Sequence, residues 1–158
     1  MVWQATPAGL IAAAACIQLR LVCNLIDGMV AIEGGKRSPV GAIYNEFPDR
    51  IADSLLLVAL GYAAGIAWLG WLCALLAALT AYIRVFGGSV GLAQDFSGVM
   101  AKPRRMAMLT AACVAGAVEL PLWHTLRSLE VAAWLIAAGS LITCFTRTAH
   151  LAEGLKAR

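Results

Sequence analysis

The chain has 158 residues, 61% of them hydrophobic and 13% charged, and its formal net charge is +3. A mean hydropathy of +0.81 excludes an ordinary soluble domain, so we expect membrane lipids rather than nucleic acid as the main surroundings. The five cysteines lie in apolar stretches without CxxC spacing and therefore indicate neither a disulfide framework nor a zinc site.

Five apolar stretches are long enough to cross a bilayer, which takes about 20 helical residues. They are residues 8–32, 40–63, 66–87, 104–123 and 129–152. The sequence therefore predicts an all-α, polytopic transmembrane helix bundle that forms one domain over residues 1–158. The first stretch lacks a preceding basic segment and a small-residue cleavage site, so we expect a retained helix there rather than a signal peptide.

The basic residues between these stretches are concentrated on one side of the predicted bundle. That side holds Lys36, Arg37, Arg84, Lys102, Arg104, Arg105, Arg147, Lys156 and Arg158. The opposite side holds only Arg127. Because basic loops are retained in the cytoplasm, we predict a protein of the bacterial inner membrane with its N-terminus outside and its C-terminus inside. We expect Arg147 to lie at a solvated helix end.

The first two predicted helices each carry a polar stripe near the cytoplasmic end, within an arc of about 100°. The first stripe consists of Arg20, Asn24, Asp27, Gly28 and Ala31. The second consists of Asn45, Glu46, Asp49 and Asp53. A short linker joins the two helices, so we expect them to be antiparallel neighbours with the stripes facing each other.

Carboxylates and amides gathered in this way indicate a cation, because ionised carboxylates repel one another. Oxygen ligands suit Mg²⁺, Mn²⁺ or Ca²⁺ better than zinc. The candidate metal ligands are Asp27, Asp49, Asn24, Asn45, Asp53 and Glu46. The alternative is structural: Asp49 pairs with Arg50 or Arg20, and Asp27 caps a helix end.

Three basic residues are predicted at the same membrane level as the polar stripes. Arg84 ends the third helix, and Lys102 and Arg105 open the fourth. Beside a divalent cation, these side chains would suit phosphate groups. Topology alone also places basic residues at cytoplasmic helix ends, and this alternative stays open.

Residues 24–49 carry a long pattern with defined spacing. It runs NLIDGMVAI from Asn24, then eight residues, then GAIYNEFPD ending at Asp49. This resembles the signature of the CDP-alcohol phosphatidyltransferase (phosphotransferase) family, D-x-x-D-G-x-x-A-R, eight residues, then G-x-x-x-D-x-x-x-D. Arg84 and the KPRR run at 102–105 are similar to the basic positions of that family.

The resemblance implies a membrane enzyme of phospholipid biosynthesis that transfers a phosphatidyl or similar group from a CDP-linked donor, such as CDP-diacylglycerol, to an alcohol and releases CMP. It implies Mg²⁺ or Mn²⁺ as the cofactor and a homodimer. Asp27 and Asp49 would bind metal, and Asp49 would also be the general base. The implied nucleotide-binding positions are Asn24, Gly28, Ala31 and Gly41. The implied phosphate or acceptor positions are Arg84, Lys102 and Arg105.

The chain departs from the family pattern at three positions. Asn24 and Asn45 stand where the family has aspartates, and Ile32 stands where it has arginine. An amide oxygen ligates a hard cation more weakly than a carboxylate. Glu46 and Asp53 lie on the same stripe and are expected to compensate. The chain also begins at the position of the family's second helix, so we expect five spans instead of six.

Two further hypotheses compete with the transferase. One is a catalytically impaired family member that binds nucleotide, metal or a partner protein. The other is a cation carrier that uses intramembrane carboxylates. A carrier needs polar access from both membrane faces, whereas the acidic residues of the spans are concentrated towards the cytoplasmic ends, with Glu119 near an outer end.

Overall fold

The computed structural model describes residues 5–33 and 41–157, and in this part the chain forms five α-helices and no strand. Their bounds are α1 Pro7–Glu33, α2 Gly41–Ala63, α3 Ala67–Ser89, α4 Lys102–Trp123 and α5 Arg127–Lys156. Each helix coincides with one predicted apolar stretch. The prediction of an all-α helix bundle is therefore confirmed.

Four helices in the described ranges are long and apolar enough to cross a membrane: Pro7–Asp27 of α1, and α3, α4 and α5. The protein is therefore an integral membrane protein. α2 has 23 residues but is less apolar, because its first thirteen residues include Glu46, Asp49, Arg50 and Asp53. The second predicted span is thus a helix that is polar at one end.

α5 is the central helix of the bundle, since it packs against α3 and α4 and also touches α2. α1 packs mainly against α4, whereas α2 packs mainly against α3. Fully buried side chains of the core include Leu10, Ile17, Leu57, Leu69, Met106, Leu109, Leu129 and Ile136. The expected close packing of α1 on α2 is not found in the described residues, where these two helices meet chiefly through polar side chains.

α2 and α3 approach most closely at a pair of glycines. A Cβ atom on Gly61 would lie 2.5 Å from the backbone of Gly70, so only glycine permits this contact. The turn between the helices uses Gly65 at a φ of 76°, a conformation that favours glycine. α2 and α3 therefore run antiparallel through the short turn at residues 64–66, and residues 124–126 make a similarly short connection between α4 and α5.

This alternation brings several helix segments to one end of the bundle. They are the second half of α1, the starts of α2 and α4, and the ends of α3 and α5. We call this the site end, because it gathers the polar residues of both stripes and the basic residues of α3 and α4.

Candidate active site

Arg20 joins α1 to α2 at the site end. Its guanidinium donates from Nη2 to Asp49 Oδ1 at 2.6 Å and from Nη1 to Asp53 Oδ1 at 2.8 Å. Nη2 also donates to the backbone oxygen of Asp49 at 3.1 Å. Asp49 and Asp53 are one helical turn apart, so a single planar guanidinium spans both carboxylates. The structural alternative of an Arg20 to Asp49 pair is therefore present.

Asp49 receives two further donors. Asn24 Nδ2 donates to Asp49 Oδ1 at 2.8 Å, and Lys102 Nζ donates to Asp49 Oδ2. Asn24 lies one turn after Arg20 on α1, and Lys102 is the first residue of α4. The Asp49 carboxylate is therefore the point at which α1, α2 and α4 meet.

Asp53 lies deeper in the bundle, in a buried pair with Arg105. Both side chains are 1–2% exposed, and Arg105 Nη2 lies 3.3 Å from Asp53 Oδ2. Arg105 Nη1 also donates to the Met100 carbonyl at 3.4 Å. Both oxygens of Asp53 thus face guanidinium groups, an environment different from the metal site that the sequence predicted. This contact pattern is that of a buried ion pair linking α2 to α4.

Glu46 connects the start of α2 to the end of α3. Arg84 Nη2 lies 2.5 Å from Glu46 Oε1, and Arg50 Nε lies 3.2 Å from the same oxygen. The Arg84 guanidinium also stacks over the Phe96 ring, 4.9 Å from its centroid, a favourable cation–π geometry. The Arg84 guanidinium is therefore positioned by two contacts, an ion pair with Glu46 and the Phe96 ring.

A cavity of about 430 Å³ lies among these side chains. Its lining includes six residues of the predicted site, namely Asn24, Glu46, Asp49, Arg84, Lys102 and Arg105. Arg50 and Arg147 line it as well, so five basic side chains face two carboxylates. Such an excess of guanidinium and ammonium groups favours anionic oxygens such as those of phosphate.

Arg147 is not at a solvated helix end, and that prediction is wrong. The residue is only 6% exposed, and it donates to the backbone oxygens of Ser97 at 2.9 Å and Thr80 at 2.7 Å. The physical reason is that α5 continues to Lys156. Arg147 is therefore well inside the helix and reaches the cavity wall between α3 and the 90–101 segment.

A second cavity of about 340 Å³ adjoins the first and shares Arg84 and Arg147 with it. Its wall includes Asp95, whose carboxylate lies 3.0 Å from His150 Nδ1. Burial alone would raise the pKa of Asp95, but hydrogen bonds from Ser97 and the nearby His150 lower it to about 2. The Asp95 carboxylate therefore stays ionised over a wide pH range, and its contact with His150 joins the 90–101 segment to α5.

The remaining predicted residues lie towards the end of α1 and the start of α2. The Asp27 side chain is exposed. The side chains of Gly28, Ala31, Gly41 and Asn45 fall outside the described residues, so their predicted roles stay predictions.

The described residues offer the right donor chemistry for a hard divalent ion, but few donors. Within the described ranges 5–33 and 41–157, no group of three acidic, histidine or cysteine side chains is placed to hold a metal ion. Asp27, Asp49 and the amide oxygen of Asn24 remain as oxygen ligands of the type that Mg²⁺ and Mn²⁺ take. By donor type alone, this set would suit an ion that keeps several of its own waters.

Two basic residues of the site end, Arg20 beside Asp49 and Arg147 in the cavity wall, were not among the predicted site residues, although the sequence carries a signal for each. Arg20 precedes Asn24 by one turn on the polar stripe of α1, so helical periodicity places it on the same face as Asn24. Arg147 lies nine residues before the end of α5. A charged side chain so far inside a predicted span is itself a sign of a functional or buried position.

The sequence matches no family model, but it is similar to several curated proteins. It is 30% identical to the phosphatidylinositol phosphate synthase of Streptomyces avermitilis over 139 residues, 83% of this chain and 57% of that protein. It is 30% identical to the synthase of the same name from Mycobacterium marinum over 149 residues, 89% of this chain and 62% of that protein. It is 34% identical to the archaetidylinositol phosphate synthase of Aeropyrum pernix over 122 residues, 69% of this chain and 62% of that protein.

The fold is also similar to a solved structure. The crystal structure of Mycobacterium tuberculosis phosphatidylinositol phosphate synthase in complex with manganese and citrate superposes with a TM-score of 0.78 at 24% identity. The match covers 92% of this chain and 72% of that one. The chain spans about three fifths of the length of the first curated relatives it matches. These similarities agree with the spaced signature at residues 24–49 and identify homologues of this chain among the CDP-alcohol phosphatidyltransferases.

Proposed function

We propose that the protein transfers a phosphatidyl or similar substituted phosphate group from a CDP-linked donor, such as CDP-diacylglycerol, to the hydroxyl group of an alcohol. In this reaction the acceptor oxygen forms a new bond to the donor phosphorus next to the lipid. The bond between that phosphorus and the oxygen of CMP breaks, CMP leaves, and the hydroxyl proton passes to a base.

The main support is the cavity at the site end. It combines one carboxylate at a signature position, Asp49, with five basic side chains. A diphosphate donor requires cationic groups to bind it and to stabilise the charge that develops on the leaving CMP. The adjoining cavity provides space for a second substrate, as a two-substrate transfer requires.

Asp49 is the residue best placed to accept the hydroxyl proton. Three nitrogen donors, from Arg20, Asn24 and Lys102, contact its carboxylate and favour the ionised form, which is the form a general base needs. Lys102 must move off Oδ2 for the acceptor hydroxyl to approach that oxygen. Its ammonium group is then free to bind a phosphate oxygen in the same cavity.

Mg²⁺ or Mn²⁺ is the proposed cofactor, held by Asp27 and Asp49 with the amide oxygen of Asn24. A bound divalent ion would supply charge neutralisation on the donor diphosphate. This assignment rests on the oxygen donors of the described residues and on the related synthase structure, which is a complex with manganese. The sequence adds Asn45 as a further amide ligand.

We propose a phosphorylated alcohol as the acceptor. The names of the curated relatives specify synthesis of phosphatidylinositol phosphate or archaetidylinositol phosphate. The cavity supports the same class here, because two phosphate-bearing substrates would use the excess of basic groups. Arg84 and Arg147 line both cavities and are the proposed contacts for the acceptor phosphate.

The experiment is a CMP-release assay on the purified protein in lipid nanodiscs with CDP-diacylglycerol and Mg²⁺ or Mn²⁺. We expect release with inositol phosphate or glycerol phosphate and little with unphosphorylated inositol. Asp49→Asn should lower the rate by about 10²- to 10⁴-fold, as expected for loss of a general base. Glu119→Gln, which changes a carboxylate at the opposite end of the bundle, is the matched control. A folded wild-type protein that releases no CMP with any acceptor would refute the proposal.

A catalytically impaired family member is the second candidate function, and one observation favours it. Both oxygens of Asp49 are engaged by protein donors, while Asn24 and Asn45 replace two signature aspartates. The double substitution Asn24→Asp and Asn45→Asp separates the candidates. Stronger metal binding together with new CMP release would indicate an impaired wild type, whereas loss of wild-type activity would indicate an adapted enzyme.

We also propose that the site end faces the cytoplasm of a bacterial inner membrane, with residues 1–158 forming one domain. The support is the concentration of basic residues at that end and the single core shared by α1 to α5. A homodimer stays a prediction of the family resemblance. Protease protection of tags placed at each terminus tests the orientation, and mass photometry in nanodiscs tests the dimer.

A further inference from the structure

The two oxygens of Asp49 differ in how firmly they are held. Oδ1 accepts from Arg20 at 2.6 Å and from Asn24 at 2.8 Å. Among the described residues, Oδ2 accepts from Lys102 alone, whose ammonium group sits on a flexible four-carbon side chain. Oδ2 is therefore the oxygen at which one cation can be exchanged for another.

Arg20 is held far more firmly than Lys102. Its guanidinium is fixed by Asp49, by Asp53 and by the backbone oxygen of Asp49, and its side chain is 20% exposed. If Arg20 moved away, the buried Asp53 would keep, among its described partners, just the longer contact to Arg105, which is costly for a charge in a low-dielectric interior. Arg20 is thus a permanent positive charge beside Asp49.

The charge count at the site end leaves little demand for additional cations. Among the described residues, the three carboxylates Glu46, Asp49 and Asp53 are paired with basic side chains. The exposed Asp27 adds a fourth carboxylate. The basic partners are Arg20, Arg50, Arg84, Lys102 and Arg105. Amides at positions 24 and 45 add no negative charge to offset this excess. Two divalent ions would add four positive charges to a centre that already has more cations than anions.

We infer that Arg20 acts as a built-in cation of this centre, and that the chain consequently binds a single divalent ion, which exchanges with Lys102 at Asp49 Oδ2. The inference rests on the proposed metal-dependent function but concerns the number and affinity of ions rather than turnover. Arg20 then has a positioning role, because it orients Asp49 and fixes the charge of the centre without contacting substrate.

The test measures Mn²⁺ binding directly, by the loss of the free Mn²⁺ electron paramagnetic resonance signal on titration into metal-free protein in nanodiscs. We expect one Mn²⁺ per wild-type chain, and none for Asp49→Asn. Lys102→Met removes the competing ammonium group, and Arg20→Met removes the fixed charge. Each should tighten Mn²⁺ binding at least about tenfold, because a unit charge within hydrogen-bond distance of the ligand oxygen is lost. Arg20→Met is also expected to admit a second ion.

Arg104→Met is the matched control. Arg104 is exposed at the same end of α4, and its hydrogen bonds within the described part of the chain go to the backbone oxygens of Gly98 and Val99. Its loss removes the same charge without touching a carboxylate and should leave Mn²⁺ binding within about twofold of wild type, since exposed charges are strongly screened. If Arg20→Met does not fold, Arg20→Gln replaces it, because glutamine removes the charge but keeps a hydrogen-bond donor. Arg20→Lys keeps the positive charge and should therefore still bind a single ion.

Two ions on the wild-type chain, no ion at all, or an Arg20→Met variant that binds Mn²⁺ like Arg104→Met would each overturn the inference. CMP release measured on the same preparation separates it from the proposed function. Two bound ions with CMP release would refute the inference alone. One bound ion with tighter binding in Arg20→Met, but no CMP release, would refute the proposed function alone.

Discussion

The buried pair of Asp53 and Arg105 gives the most direct test of the structural interpretation. We predict that Asp53→Asn destabilises the metal-free protein, because Asp53 balances two guanidinium groups deep in the bundle. A metal ligand would behave differently, since its loss would weaken Mn²⁺ binding and leave the metal-free protein nearly as stable as before.

The expected magnitude follows from the contacts that are lost and those that remain. Removing one partner of a buried ion pair costs about 3–5 kcal/mol. Arg20 keeps Asp49 as a partner, and Arg105 keeps the Met100 carbonyl, so we expect the lower end, about 3 kcal/mol. The 3.3 Å contact to Arg105 is longer than an optimal charged hydrogen bond. The 2.8 Å contact to Arg20 therefore adds to the loss.

The assay is reversible unfolding in mixed micelles of mild detergent and SDS, followed by helical circular dichroism without divalent ions. Asp53→Asn and Arg105→Met are measured singly and together. Because the double variant leaves no buried charge of the pair unmatched, its cost should be smaller than the sum of the single costs. Glu130→Gln, an exposed carboxylate in the first turn of α5, is the control and should change stability little. Additive single effects, or an Asp53→Asn variant as stable as the control, would refute the reasoning.

Three further predictions concern other parts of the bundle. Gly70→Leu should lower the unfolding free energy by about 1–3 kcal/mol, the usual cost of overpacking, because a Cβ atom at this position would lie 2.8 Å from the Cα atom of Gly61. Unfolding in detergent measures this change, and an unchanged unfolding midpoint would contradict the prediction. Glu119→Ala should lower the unfolding free energy by about 1 kcal/mol, as loss of a helix cap does, because the Glu119 carboxylate accepts hydrogen bonds from backbone N–H groups at the start of α5. The rate of CMP release should stay unchanged. Asp95 has a pKa lowered to about 2, so its ionised form stabilises the folded state above about pH 4, and this contribution disappears as the pH falls towards 2. The stability difference between wild type and Asp95→Asn should therefore be largest near neutral pH and vanish in acid, and a constant difference would exclude this role.

The helices were predictable because hydropathy marks the segments that face lipid. The stretch predicted at 40–63 and the observed α2, Gly41–Ala63, differ by one residue at the start. The prediction at 129–152 was shorter than α5, which runs to Lys156. Hydropathy does not report helical turns that continue beyond the lipid with polar residues such as Glu153. This difference also led to the wrong placement of Arg147.

The polar cluster was predictable from helical periodicity, which places Arg20 and Asn24 on one face of α1 and Asp49 and Asp53 on one face of α2. The choice of partners within the cluster was not predictable, because it depends on which helices pack together. Small residues occur throughout the spans and permit many pairings. α1 packs on α4 rather than on α2, and only long or amide side chains such as Arg20 and Asn24 reach across to Asp49.

The glycine contact between α2 and α3 gives these helices a fixed crossing point far from the cavity. Glu46 lies fifteen residues before Gly61, a distance of about 22 Å along a helix that rises 1.5 Å per residue. With a lever arm of that length, a change of about 5° in the crossing angle displaces the Glu46 end by about 2 Å. That displacement is enough to break its contact with Arg84. Side-chain size at a remote glycine therefore sets the width of the opening between the two helices.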